Sequence, residues 1–268
     1  MRQLAVCGDS WFSSHPDKIE QSVVGQLVTQ HNFLLLSLAR VGCSNFAIAL
    51  QIDHAIKAGA DFIIVGATTP DRIELPIIND SNRNIWARLR QTFTWKGWFD
   101  YQPGVYLKRR GLANVKYTGR RDLSNRHSFL TDPTIISESI NNLAFGESGA
   151  LEAYGLDETR TDALKSYMVH LYDTYVKRQY DSWIISDAIR RIQSAGIPFL
   201  LYAGALYDGE YIDDIAWVPR ENLILPGEFN YYNLPLSASS ISHLDTAESK
   251  IFADYITTRL KGLKFINE

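Results

Sequence analysis

Short apolar runs alternate along the chain with stretches whose apolar residues recur at helical spacing. The runs are continuous enough to form strands that are buried on both faces. They fall at residues 3–7, 33–39, 61–65, 197–203 and 222–225. Helical spacing marks residues 17–29, 45–57, 164–175, 183–193 and 246–260. Because strands that alternate with helices form parallel sheets, we expect a doubly wound α/β fold with about five parallel strands.

Several of the predicted helices carry further signals. Ser44 is a suitable N-cap for the helix at about residues 45–57, and Gly59 is expected to stop that helix. One helical stripe within residues 164–175 consists of Leu164, Met168, Leu171, Tyr172 and Tyr175. The positions of the last helix that are expected to face inward are Ile251, Phe252, Tyr255, Ile256 and Leu260. Both stripes are typical of amphipathic helices.

The alternation lapses in a basic, tryptophan-containing block at about residues 80–130. Residues 81–130 hold eleven Lys and Arg against two acidic residues, so they carry +9, whereas the whole chain carries −3 and the remainder therefore −12. We interpret the block as an insertion over the sheet of a single domain that spans residues 1–268. Three roles remain open for it: a lid, a surface for carbohydrate or acidic substrates, and an interface with a protein partner. Nucleic acid is disfavoured, because no recognition motif accompanies the charge.

Composition narrows the class of protein further. The chain has 268 residues, 46% of them hydrophobic, which suffices for a large domain with a substantial core. Cys7 and Cys43 lie in apolar surroundings without metal-ligand spacing, so we expect reduced core cysteines. The apolar runs are too short to span a membrane, and no secretory signal opens the sequence. We therefore expect a soluble, cytoplasmic protein with no membrane partner and with neither a metal nor an organic cofactor.

Polar segments follow the predicted strands at the ends where open α/β sheets bind ligands. These segments are Gly8-Asp9-Ser10, residues 42–45, residues 66–72 and residues 242–245. A serine hydroxyl becomes an effective nucleophile when a hydrogen-bonded base accepts its proton, and histidine suits that role near neutral pH. Ser10 and His243 are therefore the candidate nucleophile and base, while Asp9 is expected to bond N–H groups of its own loop.

The same segments resemble the sequence blocks of the SGNH (GDSL-type) hydrolases, a family of serine esterases and lipases. Gly8-Asp9-Ser10 matches the first block, Gly42 matches the glycine of the second, and His243 matches the histidine that precedes the C-terminal helix. The resemblance spans the chain apart from the basic block. It implies a flavodoxin-like three-layer α/β/α sandwich in which Ser10 attacks, His243 acts as general base, and the N–H groups of Ser10 and Gly42 hold the oxyanion.

One departure from the family pattern concerns the oxyanion hole. The third block of the family is Gly-x-Asn, whereas Gly66 is followed here by Ala67 and Thr68. Thr68, Thr69 and Asn45 are the alternative donors. Loss of one oxyanion donor typically costs on the order of 100- to 1,000-fold in rate.

The other departure concerns the acid of the triad. The family places an aspartate three residues before the histidine, but this chain has Ser240 there. His243 is then oriented by a backbone carbonyl, by Ser240 or by another carboxylate, for which Asp245 is a weak candidate. Because the acid fixes the tautomer and stabilises the imidazolium, its absence lowers activity without necessarily abolishing it.

Arg72 is expected to pair with Asp9 or Glu74, either in a cluster that faces the site or in a salt-bridged loop. The sequence favours a serine-dependent hydrolase of small acyl esters or of acylated carbohydrate. The alternative is a catalytically weak or inactive SGNH-like fold that serves as a structural or binding subunit of a larger assembly, such as a phage virion. That alternative draws on the opening Gly8-Asp9-Ser10-Trp11-Phe12, which resembles the opening of some tailed-phage proteins.

Overall fold

The fold is built on a six-stranded sheet in which every pair of neighbours is parallel. A computed structural model describes residues 2–9, 11–12, 21–39, 43–70, 72–76, 115–117, 135–139, 158–207, 209–225, 228 and 246–266. The strands of the sheet are β1 (Gln3–Cys7), β2 (Leu34–Ser37), β3 (Phe62–Gly66), β5 (Val115–Tyr117), β7 (Phe199–Tyr202) and β8 (Leu223–Ile224). Their order is β5-β2-β1-β3-β7-β8. Two further strands, β4 (Arg72–Pro76) and β6 (Ile135–Ser139), form a separate antiparallel pair.

Helices cover both faces of the sheet. They are α1 (Val23–His31), α2 (Asn45–Lys57), α3 (Glu158–His170), α4 (Thr174–Ser194) and α5 (Thr246–Gly262). Short 3-10 helices at Gly204–Tyr207, Gly209–Ile215 and Arg220–Asn222 lie between β7 and β8 in the chain. Helices α2 and α4 pack on one face, and α1 and α5 pack on the other. The predicted α/β fold with three layers is confirmed.

Side-chain alternation along the strands separates two hydrophobic cores. In β1, Ala5 and Cys7 belong to the core under α2 and α4, whereas Leu4 and Val6 belong to the core under α1 and α5. All four side chains are fully buried. Cys7 and Cys43 are buried free cysteines, as expected. A continuously apolar strand thus serves both layers at once, which is why its sequence shows no polar alternation.

The strand order places a ligand-binding position beside β1. Without the edge strand β5, the order is β2-β1-β3-β7-β8. If these five strands are numbered 1 to 5 along the chain, the order is 2-1-3-4-5, which is the flavodoxin-like arrangement. Successive connections run in opposite directions from β1, toward β2 on one side and β3 on the other. The crevice outside the carboxyl ends of β1 and β3 is where such sheets bind ligands.

Helix α2 confirms its sequence prediction. It spans Asn45–Lys57, and the Ser44 side chain accepts a hydrogen bond from the N–H of Ala47 as an N-cap. The helix ends at Ala58, and Gly59 follows with φ +70°, a left-handed conformation that glycine adopts readily. Helix α1 begins at Val23, because the Ser22 side chain caps its N-terminus, and it extends to His31. The prediction from residue 17 to residue 29 therefore placed the start too early and the end two residues too soon, and residues 17–20 lie outside the described residues.

Three sequence expectations were wrong. The stripe from Leu164 to Tyr175 does not belong to one helix, because α3 ends at His170 and α4 begins at Thr174 with the Asp173 side chain as its N-cap. Leu171 and Tyr175 are 75% and 60% exposed. Ile251, expected to face inward, is 50% exposed because it lies at the side of the buried stripe of α5.

The third of these corrections concerns the basic block. Val115–Tyr117, which lies inside it, pairs with β2 as an edge strand of the main sheet. This part of the block therefore belongs to the sheet instead of lying over it. The rest of residues 80–130 lies outside the described residues.

Candidate functional site

The carboxyl ends of β1 and β3 carry the polar residues of the candidate site. Gly8 and Asp9 follow β1, and Ala67 and Thr68 follow β3. The two strands pair in register from Leu4 to Cys7, so these short loops emerge next to each other. The predicted meeting of distant polar segments at this edge is thus seen for the segments after β1 and β3.

Asp9 is a buried carboxylate held by three donors. Its Oδ2 accepts a hydrogen bond of 2.7 Å from the Thr68 hydroxyl and lies 3.1 Å from the Arg72 Nη2. Its Oδ1 accepts a 3.0 Å hydrogen bond from the N–H of Trp11. The N–H of Phe12 also donates to the Asp9 carbonyl at 3.3 Å. Asp9 therefore bonds N–H groups of its own loop, as expected, and Arg72 pairs with it.

Asn45 joins the first turn of α2 to the loop after β3. Its Oδ1 accepts a 2.9 Å hydrogen bond from the N–H of Thr68, and its Nδ2 donates at 3.0 Å to the Thr68 carbonyl. The same Nδ2 donates at 3.0 Å to the Oδ2 of Asp181 in α4. Asn45 is fully buried, and both of its amide hydrogens are directed at protein oxygens. In this arrangement its side chain has no hydrogen left for an oxyanion.

The remaining alternative donors differ from each other. Thr68 is buried, donates its hydroxyl hydrogen to Asp9 and donates its N–H to Asn45. Thr69 is half-buried at the next position. Three residues were predicted to replace the family asparagine. Asn45 and Thr68 already donate their hydrogens to other protein groups, and the role of Thr69 stays a prediction.

Asp181 extends the network to α4, and the sequence did not reveal it. Its side chain is fully buried, and its Oδ1 forms an ion pair with Lys177 one turn earlier in the helix. The network therefore runs from the Arg72–Asp9 pair through Thr68 and Asn45 to the Asp181–Lys177 pair. Two buried carboxylates are each matched by a cation, as burial of charge requires.

Gln51 is a second residue that the sequence did not reveal. Its Oε1 accepts a 2.7 Å hydrogen bond from the N–H of Gly8, and its Nε2 donates to the Gly8 carbonyl at 3.3 Å and to the Cys43 Sγ at 3.2 Å. Arg72 also donates to the Cys43 carbonyl at 3.0 Å. The side chains of Gln51 and Arg72 therefore both connect the loop after β1 with Cys43, which lies just before α2.

The aromatic ring of Phe12 anchors the other side of the loop after β1. Phe12 is buried, and its ring lies so close to Gly66 that a Cβ on that glycine would come within 2.3 Å of it. Its ring centroid lies 5.9 Å from that of Phe252 in α5 and 6.1 Å from that of Tyr202. The residues on both sides of position 10 are thus fixed, Asp9 by polar contacts and Phe12 by packing.

Three predicted site residues cannot be placed by these contacts. Ser10, Gly42 and His243 lie outside the described residues. Ser10 falls in sequence between the fixed Asp9 and Trp11, and Gly42 directly precedes Cys43. Their assignments as nucleophile, oxyanion donor and base stay predictions that follow from the resemblance.

The fold and the network define a three-layer α/β protein with a polar site at the carboxyl edge of its sheet. Comparison of the chain with protein-family models, with curated proteins and with solved structures finds no match. Within the described ranges, no group of three or more histidine, cysteine or carboxylate side chains is arranged to hold a metal ion. Nor does any helix described there combine the length and apolar character that crossing a membrane requires.

Proposed function

We propose that the protein is a serine-dependent acyl hydrolase whose nucleophile is Ser10. The hydroxyl oxygen of Ser10 attacks the acyl carbonyl of an ester while His243 accepts the hydroxyl proton. The tetrahedral intermediate collapses to an acyl-enzyme, and His243 returns the proton to the departing alcohol. Water, activated by the same histidine, then releases the acid and regenerates Ser10.

The observation that supports this proposal most is the anchoring of the loop after β1 at the edge where the strand order reverses. Asp9 is tied to Thr68, Arg72 and the N–H of Trp11, and Phe12 is packed against Gly66. A nucleophile between two fixed neighbours loses little further freedom in the transition state, which lowers the barrier. The resemblance of the Gly8-Asp9-Ser10 segment to SGNH hydrolases points to the same chemistry.

The substrate class proposed is a small acyl ester, with acylated carbohydrate as its natural form. The sequence of the basic block contains Trp86, Trp95 and Trp98 and many arginines, a composition that suits stacking on sugars and pairing with anions. Activity against acetylated oligosaccharides, compared with p-nitrophenyl acetate, tests this part of the proposal. A kcat/KM for the sugar esters no higher than that for the aryl ester would argue against it.

Covalent labelling tests the nucleophile directly. The wild-type protein is expected to hydrolyse p-nitrophenyl acetate and to react with a fluorophosphonate probe at Ser10, as located by peptide mass spectrometry. Ser10→Ala should lose both properties, and His243→Ala should lose turnover. Ser22→Ala, which removes the N-cap of α1 instead, serves as the matched serine control and should keep both. If the wild type neither hydrolyses the ester nor labels at Ser10, the proposed function is lost.

The second candidate is a binding subunit of a larger assembly, and one observation favours it. Helices α3 and α4 expose large aromatic side chains, with Tyr175, Tyr180 and Trp183 each more than half exposed. Exposed aromatic groups are enriched at protein interfaces. An inactive wild-type protein that forms large complexes, lost on Trp183→Ser, would support this candidate over the esterase.

A further inference from the structure

The outer face of α4 concentrates the exposed hydrophobic side chains of this protein. Nine large hydrophobic side chains are exposed among the described residues, and seven of them fall within residues 167–183. The four in α4 are 45–63% exposed and are Tyr175, Val176, Tyr180 and Trp183. The opposite face of the same helix is buried against α2 and the sheet. Helix α4 therefore has a second apolar face, on its solvent side.

The exposed side chains of α4 follow the spacing by which one helix packs along another. Successive positions are separated by four, three, four and three residues, as the a and d positions of a coiled coil are. These positions form the outer seam of α4 and are occupied by Val176, Tyr180, Trp183, Asp187 and Arg190. In the middle of the seam, the rings of Tyr180 and Trp183 pack edge to face with centroids 5.7 Å apart. The outer seam therefore suits a partner helix that lies along it.

Charges at the two ends of the outer seam indicate which helix fits. Asp173, the N-cap residue, lies seven positions before Tyr180, and Arg190 lies seven positions after Trp183. Both charged residues are exposed. When two identical helices pair antiparallel with Tyr180 opposite Trp183, each Asp173 lies opposite an Arg190. In a parallel pair, each charge would instead lie opposite its own copy, and like charges repel.

We propose that the outer seam of α4 is the interface of a two-fold symmetric homodimer, in which α4 pairs antiparallel with α4 of a second copy. Two Tyr180 and two Trp183 side chains form its aromatic centre, and Asp173–Arg190 ion pairs form its rim, which is the usual anatomy of an interface. The Arg190 guanidinium lies 4.8 Å from the centroid of the Trp217 ring, and this stacking holds it at the end of the seam. The proposal does not depend on hydrolase activity, so either can fail while the other stands.

The apolar area exposed on α4 is close to what a stable dimer needs. Large side chains present about 150–250 Å² each, so the four on α4, about half exposed, offer about 300–500 Å² of apolar surface. A standard interface buries about 800 Å² per partner, of which about 500 Å² is apolar in a homodimer. Leu171, which is 75% exposed between α3 and α4, adds to the apolar surface.

The mass of the full-length protein in solution tests the interface. Sedimentation velocity and light scattering over a wide range of protein concentration should give twice the mass of one chain. Trp183→Glu and Tyr180→Glu should each raise the dissociation constant at least about 30-fold, as expected for aromatic residues at the centre of an interface. Ile251→Glu, at a 50% exposed position of α5, is the matched control and should leave the dimer unchanged.

Three results of this experiment would overturn the inference. The first is a monomer at every concentration. The second is a dimer that both Trp183→Glu and Tyr180→Glu leave intact, in variants that remain folded by circular dichroism. The third is a complex of more than two chains, which would support the binding subunit of a larger assembly instead of a closed pair.

Charge variants test the antiparallel arrangement. Arg190→Asp places a carboxylate opposite Asp173 of the second copy and should raise the dissociation constant at least about tenfold. Adding Asp173→Asn removes the repelled charge while keeping a side chain that caps α4, so the double variant should recover most of this loss. In a parallel pair Asp173 and Arg190 would never meet, and a double variant without recovery would therefore overturn the antiparallel arrangement.

A distance between spin labels gives an independent measure of the orientation. Ser194, the exposed last residue of α4, is replaced by cysteine and labelled with a nitroxide, while Cys7 and Cys43 are buried. For an antiparallel pair centred between Tyr180 and Trp183, the helical rise of about 1.5 Å per residue places the two labels about 40 Å apart. Labels about 10 Å apart, the spacing of parallel helix axes, would contradict the proposed pairing.

Discussion

Replacement of Asn45 by alanine tests whether the buried polar network holds the candidate site together. Three hydrogen bonds are lost at once, those to the N–H of Thr68, to the carbonyl of Thr68 and to the Oδ2 of Asp181. Thr68 and Asp181 are buried, so water reaches these groups poorly. Each buried polar group left unsatisfied costs about 1–3 kcal/mol.

The three costs set the expected magnitude. Their sum is about 3–9 kcal/mol, and some relaxation or water entry at the vacated position lowers it, so we expect about 3–5 kcal/mol for Asn45→Ala. That is a large share of the roughly 5–15 kcal/mol by which a protein domain is stable. Urea unfolding followed by tryptophan fluorescence measures this loss. Ser44→Ala, which removes the neighbouring N-cap of α2, is the control and should cost only about 1 kcal/mol.

Replacement by aspartate sharpens the test because the side chain keeps its shape. In Asn45→Asp, an oxygen takes the place of the Nδ2 donor and faces the Thr68 carbonyl and the Asp181 carboxylate. We expect a larger loss of stability than for Asn45→Ala at pH 7.5. The difference from wild type should narrow toward pH 5, because protonation of the new carboxyl restores one donor.

Two outcomes would refute this reasoning. A cost for Asn45→Ala no larger than that of Ser44→Ala would mean that the network does not hold the loop after β3. Full stability combined with loss of esterase activity would mean that the Asn45 amide acts on the substrate and not on Thr68 and Asp181.

Two further predictions concern packing and pH. Gly66→Ala should lower the free energy of unfolding by about 1–3 kcal/mol, because its Cβ would overlap the buried ring of Phe12. The loss should be smaller when Phe12→Leu is already present, and Gly262→Ala, with open space around it, is the control. An equal loss with and without Phe12→Leu would contradict the prediction. Burial, and to a smaller extent the nearby charge of Lys261, lowers the pKa of His31 in the folded protein below its usual 6.5. Because the unfolded chain then binds the proton more readily, the stability of the fold decreases as the pH falls below 6.5. The decrease in melting temperature from pH 7.5 to 5.5 should therefore be smaller in His31→Gln than in wild type, and equal decreases would exclude His31 as the titrating group.

The elements that the sequence predicted well are those in which apolar pattern and local signals agree. In α2, the N-cap Ser44 and the apolar stripe define the same helix, and tertiary packing did not alter its bounds. The helices after residue 157 were harder, because neither glycine nor proline marks the break between them. The break is marked instead by Asp173, whose side chain accepts hydrogen bonds from the N–H groups of Tyr175 and Val176. In the sequence, an N-cap aspartate inside an apparently continuous apolar stripe resembles an ordinary exposed position of one long helix.

The buried network was missed because hydrophobic periodicity registers apolar positions only. Gln51 lies three residues after Ile48 on the buried face of α2, and Asp181 lies four residues before Ile185 on the buried face of α4. A polar residue in register with a buried stripe is a usable signal, since it must find a partner in the interior. The sequence could not name those partners, because Asn45 and Gly8 are far from them along the chain.

The network also bears on how the proposed hydrolase would hold its oxyanion. In the SGNH hydrolases, which the sequence blocks of this chain resemble, an asparagine side chain contributes to that task. Here the hydrogens of Asn45 and Thr68 are already donated to Thr68, Asp181 and Asp9. If these hydrogens turned toward a substrate, buried protein oxygens would lose their hydrogen bonds. The free energy lost there would be about as large as the free energy gained from the substrate contact. Oxyanion stabilisation in the proposed mechanism is therefore expected from backbone N–H groups and from Thr69, the alternative side-chain donor that these contacts leave open. The side chains of Asn45 and Thr68 instead fix the loops that carry those N–H groups, so that they serve the proposed catalysis through preorganisation and not through contact with the substrate.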